Sequence, residues 1–248
     1  MPISLADELS IETAAEFSFA CDEPGVPVDE SNLVVRAVRL FVQQTKIEPR
    51  VQISLAKKIP HGAGLGGGSS DAAATLLALN EIFATRLSTE SLVEMAAELG
   101  SDVPFFIYRS AAVCRGRGEI VTPQVFKEKL PLVLFKPPFG VPTPWAYKQW
   151  RDARELPGVS YTAQKFAWGE LVNDLERPVF EKYVFLAALK QWLLARAEVC
   201  GALMSGSGAT VFAILHEANS AQTLMDAASA EFGETLWTCG CKVVAASL

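Results

Sequence analysis

Five of the seven residues from 62 to 68 are glycine, and this run sits between two segments of opposite character. Before it, Val51-Gln52-Ile53-Ser54-Leu55-Ala56 alternates apolar and polar side chains, the period of a half-buried strand. After it, residues 72–83 are rich in alanine and leucine with no breaker, which suits a helix. The loop between them reads Pro60-His61-Gly62-Ala63-Gly64-Leu65-Gly66-Gly67-Gly68-Ser69-Ser70-Asp71. Glycine at this density lets the backbone turn with positive φ and approach a ligand closely. Ser69, Ser70 and Asp71 are good N-cap residues, so the helix is expected to start directly after them. A helix N-terminus offers unpaired N–H groups and the positive end of its dipole, so a strand, a glycine loop and a helix in this order make an anion site suited to phosphate. The alternative is a flexible surface loop, but glycine linkers do not usually join an alternating strand to an uninterrupted helix.

The familiar phosphate loops fail on context. Gly62-x-Gly64-x-x-Gly67 fits the dinucleotide fingerprint, with Glu81 at about the right distance. That motif needs a parallel strand after the helix with the acid at its end, whereas Glu81 lies inside the helical run and the next segment, 89–99, is helical too. No Gly-Lys-Ser/Thr closes the loop, and Lys57 and Lys58 precede it instead. No Gly-x-Ser-x-Gly elbow occurs.

Composition narrows the class. Lys and Arg total 22 against 28 Asp and Glu, so the net charge is −6, which argues against a nucleic-acid partner but not against a small anionic ligand. Half the residues are hydrophobic, enough for a sizeable core. His61 and His216 are the only histidines, which excludes a metal site built on several of them. Cys21, Cys114, Cys200, Cys239 and Cys241 are an odd, scattered set and read as reduced thiols of a cytoplasmic protein. The opening residues show no basic region followed by an apolar run, so a signal peptide is not expected, and the uncharged stretch 199–215 is broken by a Gly-Ser turn, so no membrane span is expected.

Further along, Leu9, Ile11 and Thr13 alternate as a strand, and Leu33, Val34, Ala37, Val38, Phe41 and Val42 recur at helical spacing after Asn32. Ser88 and Gly100 bracket a helix over 89–99. Strands are expected over 111–114, 130–135, 210–215 and 242–246, and helices over 170–175, 178–198 and 220–232. Pro137, Pro138, Pro142 and Pro144 mark a domain boundary, giving domains 1–135 and 136–248.

Several segments carry, in order, a resemblance to the GHMP kinase superfamily. The glycine loop is similar to its second motif. Asn32-Leu33-Val34-Val35-Arg36-Ala37, Gly100-Ser101-Asp102-Val103-Pro104-Phe105-Phe106, Gly116-Arg117-Gly118-Glu119, Thr143-Pro144-Trp145-Ala146-Tyr147, Asn173-Asp174-Leu175-Glu176 and Met204-Ser205-Gly206-Ser207-Gly208-Ala209 extend the likeness over nearly the whole chain. It implies an α+β fold in two lobes, a ribosomal-S5-domain-2-like N-terminal lobe that binds ATP and a ferredoxin-like C-terminal lobe. The activity it implies is ATP-dependent phosphorylation of a hydroxyl on a small cytidyl-bearing substrate of the non-mevalonate isoprenoid pathway, in a monomer or homodimer, with Mg²⁺ held by undetermined ligands. Another small-molecule kinase of the superfamily is the alternative.

The resemblance also distributes roles. Asp102 takes the place of the catalytic aspartate; by itself it reads as an N-cap for the segment from Val103. The loop from Pro60 to Ser70 faces the phosphates, with the Ser69 and Ser70 hydroxyls at the β- and γ-positions. Asp71 stands where relatives often carry Asn, and its charge would oppose phosphate unless it points away or meets Mg²⁺; it is not expected to be a metal ligand. Lys57 matches a lysine near the nucleotide, against a solvated surface lysine. Asn32 matches a residue near the adenine, against a plain N-cap. Tyr147 matches an aromatic that stacks on the cytosine, against a core tyrosine. The Gly206-Ser207-Gly208 turn corresponds to the third motif, against an ordinary hairpin turn.

At one place the pattern departs. Relatives open with a strand carrying a catalytic lysine and a Gly-Tyr-His segment, and Met1–Glu8 already matches the region after them; no lysine precedes Lys46. The expectation is an N-terminally truncated reading frame, a sheet lacking its first one or two strands, weak nucleotide binding and poor turnover, with a catalytically impaired nucleotide-binding remnant as a further alternative.

Overall fold

The computed structural model describes residues 1–244. The chain divides into two compact units: Met1–His61 with Gly66–Lys127 and Val244, and Gly62–Leu65 with Glu128–Val243.

In the first unit, β1 (Glu8–Thr13) and β2 (Ser18–Cys21) flank β3 (Val51–Ala56), antiparallel and parallel to it respectively. The alternation read from sequence holds in β3: Val51, Ile53 and Leu55 are buried while Gln52 and Ser54 face solvent. The apolar stripe of α1 (Leu33–Thr45) joins them in the core through Val34, Ala37, Val38 and Phe41. Also in this core are Ala72, Ala73, Leu76 and Leu79 of α2 (Gly67–Ile82) and Leu92, Met95 and Ala96 of α3 (Thr89–Leu99). Ser88 caps α3 by accepting from the Ser91 amide, and Gly100 ends it, both as expected. A short α4 (Val103–Ile107) leads to an antiparallel hairpin of β4 (Ala112–Arg115) and β5 (Ile120–Pro123).

The second unit is built on an antiparallel sheet in the order β11-β6-β10-β9. Its strands are β6 (Pro131–Lys136), β9 (Val199–Met204), β10 (Val211–Leu215) and β11 (Trp237–Lys242). Val133, Phe135, Ala202, Met204, Val211 and Ala213 share a core with α6 (Glu176–Lys182), α7 (Val184–Leu194) and α8 (Ala221–Phe232). Helix α5 (Thr143–Gln149) and a small hairpin, β7 (Gln164–Phe166) with β8 (Gly169–Leu171), complete it.

Four expectations change. Helix α2 starts at Gly67, with Gly66 in the left-handed conformation at its N-cap, so Ser69, Ser70 and Asp71 lie inside the helix rather than capping it. The stretch 170–175 is not helical: Glu170 and Leu171 belong to β8, because Gln164 ties the hairpin to the Ala202 backbone through two hydrogen bonds, of 2.7 and 3.0 Å. The last strand is Trp237–Lys242, and residues 245–246 of the expected strand lie outside the described residues. Strand β6, placed by sequence in the first domain, pairs with β10 and β11 in the second unit.

Candidate active site

Helix α2 has 16 residues, and no side chain caps its N-terminus. Ser70 donates its amide to the Gly66 carbonyl at 2.9 Å and its hydroxyl to the Gly67 carbonyl at 2.7 Å. The amides of Gly67, Gly68 and Ser69 precede that first helical bond and are the donors a phosphate needs. His61, Gly62 and Gly68 are exposed, Ala63 is buried, and Pro60, Gly64, Leu65, Gly66, Gly67, Ser69 and Ser70 are half-buried.

In the first unit, Lys57 directs its ammonium onto two carboxylates, Asp7 and Asp71, the second at 2.9 Å. All three side chains are at least 93 % buried. Lys57 is therefore no solvated surface lysine. Burial works against its charge, but the hydrogen bonds and charges of Asp7 and Asp71 outweigh it and hold the ammonium above its ordinary pKa. Burial pushes the Asp71 carboxyl up to about 6 despite the lysine. Asp71 thus points into the protein, away from the open helix end, and its charge is met by Lys57. Asp7 also accepts the amides of Lys58 (2.6 Å) and Ile59 (2.8 Å) at the end of β3.

Asp102 occupies the N-cap position of α4 but makes no capping hydrogen bond. Its side chain is exposed. Partial desolvation still raises its carboxyl above the usual range. Beside it lies Gly118 of the β4–β5 turn: a Cβ there would stand 3.2 Å from Asp102 Oδ1, so glycine leaves room next to the carboxylate. Asn32 caps α1, its Oδ1 accepting from Val34 at 2.8 Å and its amide donating to the Pro27 carbonyl at 2.7 Å.

In the second unit, residues 62–65 are held by the β9–β10 turn. Thr210 donates its amide to the Ala63 carbonyl (3.2 Å), and Ser205 its hydroxyl to the Gly64 carbonyl (2.9 Å). Gly64 has φ of 74°, and a Cβ there would fall 2.5 Å from the Gly208 carbonyl oxygen. The second and third motifs thus share one hydrogen-bonded structure, which spacing could not reveal. Asn173 secures the same turn by donating to the carbonyls of Met204 (2.7 Å) and Gly206 (2.8 Å), while Glu176 accepts the Met204 amide at 2.9 Å. Lys190 meets Glu176 at 2.5 Å, both side chains 98 % buried. Tyr147, on α5, is 65 % exposed and is no core residue. One turn earlier, Thr143 Oγ1 lies 2.7 Å from Ser207 Oγ.

Asp7 and Lys190 give no signal in the sequence, because their partners lie 50 and 14 residues away. Asn173 and Glu176 are visible in the sequence only as members of a segment that carries the resemblance, without a role. Among the described residues, no group of three or more His, Cys, Asp or Glu side chains is placed to hold a metal ion. No helix of the described residues is long and apolar enough to cross a membrane.

Two family models match the chain: GHMP kinases N terminal domain over residues 32–110, and GHMP kinases C terminal over 164–234. A 4-diphosphocytidyl-2-C-methyl-D-erythritol kinase of Methylacidiphilum infernorum is 42% identical, over 95% of this chain and 84% of its own length. A kinase of the same name from Synechococcus sp. (strain JA-3-3Ab) is 37% identical, over 94% of this chain and 81% of its own. A crystal structure of 4-(cytidine 5'-diphospho)-2C-methyl-D-erythritol kinase matches with a TM-score of 0.79 and 34% identity, covering 98% of this chain and 88% of that one. Homoserine kinase from Cytophaga hutchinsonii shares the fold, with a TM-score of 0.67 at 18% identity over 96% of this chain and 86% of its own. With both domain models matched in order and identity of this degree over nearly its full length, the chain belongs to the 4-diphosphocytidyl-2-C-methyl-D-erythritol kinase family of the GHMP kinases.

Proposed function

We propose that the chain transfers the γ-phosphoryl group of ATP to the 2-hydroxyl of 4-diphosphocytidyl-2-C-methyl-D-erythritol, a step of non-mevalonate isoprenoid synthesis. The observation that carries this reading is the uncapped N-terminus of α2 behind the glycine loop, in a chain of this kinase family. Its amides and dipole bind and orient the phosphates. Asp102 accepts the proton of the attacking hydroxyl as the new O–P bond forms and the bond from the γ-phosphorus to the bridging oxygen of ADP breaks. Its raised pKa brings the carboxylate closer to the basicity that role needs. The exposed ring of Tyr147 stacks on the cytosine.

Mg²⁺ would come with the nucleotide, on phosphates bound at Gly67–Ser69. It supplies neutralisation of phosphate charge when bound. Asp71, occupied by Lys57, is not placed to ligate it. The five cysteines are all free, which supports the cytoplasm as the compartment.

The test incubates the purified chain with Mg·ATP and, separately, the cytidyl substrate, homoserine and mevalonate, following ADP release and the phosphorylated product by ³¹P NMR. The reading expects turnover, however slow, with the cytidyl substrate alone. Turnover with another acceptor would assign a different kinase, and ATP binding without turnover on any acceptor would assign a non-catalytic nucleotide binder.

A further inference from the structure

Nothing in the kinase reading requires a lysine clasped by two buried carboxylates. Lys57 stands at the end of β3, just before the glycine loop, and Asp71 lies on α2, just after it. The ammonium therefore spans the two chain segments from which the loop departs. Asp7 completes the arrangement by pinning the same end of β3 through the Lys58 and Ile59 amides as well as through Lys57 itself. The Lys57 backbone is fixed from another side, its amide donating to Asp22 Oδ1 at 2.8 Å. Gly67 allows the crossing: a Cβ there would sit 3.3 Å from Lys57 Nζ and 3.1 Å from the Ile59 side chain. With both carboxylates drawn to it, the ammonium is directed into the protein rather than toward a ligand.

We propose that Asp7, Lys57 and Asp71 form a positioning cluster for the phosphate loop, with Lys57 as a crosspiece that fixes the end of β3 against the first turns of α2. The cluster acts on the nucleotide only through the loop it holds. This inference rests on the phosphate-binding reading of that loop for its effect on affinity, but not for its effect on loop order. A buried charge left without its partner is strongly destabilising, which is why three groups must be kept together. Lys57 also cancels a carboxylate charge close to where phosphate would bind, so the cluster keeps the helix end attractive to anions.

The test is a double-mutant cycle with two readouts. The variants are Lys57→Met, Asp71→Ala and their combination, with Asp71→Asn as the folding control because its amide oxygen can still accept from Lys57. Amide hydrogen exchange over residues 58–70 is measured without nucleotide, against α1 as the internal reference. The ATP dissociation constant is measured by calorimetry. Each single loss should speed exchange in the loop while α1 keeps its protection. Each should also weaken ATP on the order of tenfold, with the combined variant no weaker than the worse single one and Asp71→Asn near wild type. If Lys57 touches the nucleotide directly, Asp71→Ala leaves affinity unchanged and Lys57→Met weakens it equally in both backgrounds, which overturns the proposal. Unchanged loop exchange in Asp71→Ala overturns it as well. A wild-type chain that binds no ATP, while its loop exchange responds to the variants as expected, sinks the functional reading and leaves the positioning cluster standing.

Discussion

Replacing Gly64 by alanine tests whether the glycine loop is built into the second unit or merely permitted by it. The backbone there has φ of 74°, where an alanine costs roughly 1–2 kcal/mol. The new Cβ would also lie 2.5 Å from the Gly208 oxygen and 2.8 Å from the Ser205 oxygen, both main-chain atoms that no rotamer change can move. Relieving that overlap means separating the loop from the β9–β10 turn, and with it the bonds from Ser205 Oγ to Gly64 and from the Thr210 amide to Ala63. Overpacking of this kind costs about 1–3 kcal/mol and each of the two lost hydrogen bonds about 1 kcal/mol, so with the backbone strain Gly64→Ala should destabilise by roughly 4–7 kcal/mol in all. Gly62 is the control: its φ is 66°, but nothing lies within 4 Å of its added Cβ, so alanine there should cost only the roughly 1–2 kcal/mol of backbone strain. The assay is urea unfolding followed by tryptophan fluorescence. All five tryptophans lie within Glu128–Val243, so the signal reports the second unit directly. Equal losses for the two variants would refute the argument that contact with the turn, rather than backbone conformation alone, selects glycine at position 64.

Four further outcomes are expected. Asp102→Asn should lower kcat by about 10²–10⁴-fold and remove the acid limb of the rate profile, where wild-type activity falls as pH drops through the raised pKa of the aspartate; a retained acid limb would place the proton acceptor elsewhere. For Asp71, whose carboxyl titrates near 6 in the fold against about 4 when unfolded, the folded state binds the extra proton between those values, so its contribution to stability falls as pH rises through that window. Relative to wild type, Asp71→Asn should therefore gain stability from pH 4 to pH 7 in thermal scans, and a parallel pair of profiles would show that the group is not shifted. Lys190→Met should cost about 3–5 kcal/mol by leaving Glu176 buried without its partner, and pairing it with Glu176→Leu should recover part of that loss in chemical denaturation. Tyr147→Ala should leave the melting temperature unchanged, given its exposure, while raising KM for the cytidyl substrate, with stacking on the order of 1–3 kcal/mol as the ceiling.

Much of the first unit was legible because its signals are local. The alternation of β3, the Asn32 and Ser88 caps and the stop at Gly100 depend on neighbours a few residues away, and each appears where expected. The start of α2 was not legible. Capping preference favours Ser69, Ser70 and Asp71 over glycine, but Gly66 in the left-handed conformation and Lys57 packed on Gly67 move the helix start back into the glycines. Tyr147 and Asp102 show the complementary case. Their motifs suggested roles, while the exposure of Tyr147 and the absence of a cap bond at Asp102 are facts that only the fold supplies.

By itself, then, the sequence determined the strand–loop–helix unit and its suitability for phosphate, because backbone freedom, helix propensity and periodicity act over a few residues. It also carried the family, through motifs read in order. Tertiary structure alone decided what holds that unit. Asp7 reaches Lys57 across 50 residues, and Ser205 reaches Gly64 across 141. Such contacts form only once strands from distant parts of the chain have been brought together. The same separation placed β6 with β10 and β11, and it placed residues 62–65 with the β9–β10 turn, while the rest of the glycine loop stayed with α2. Burial then fixed the charges, since a lysine enclosed just past the end of β3 must find its carboxylates wherever the fold provides them.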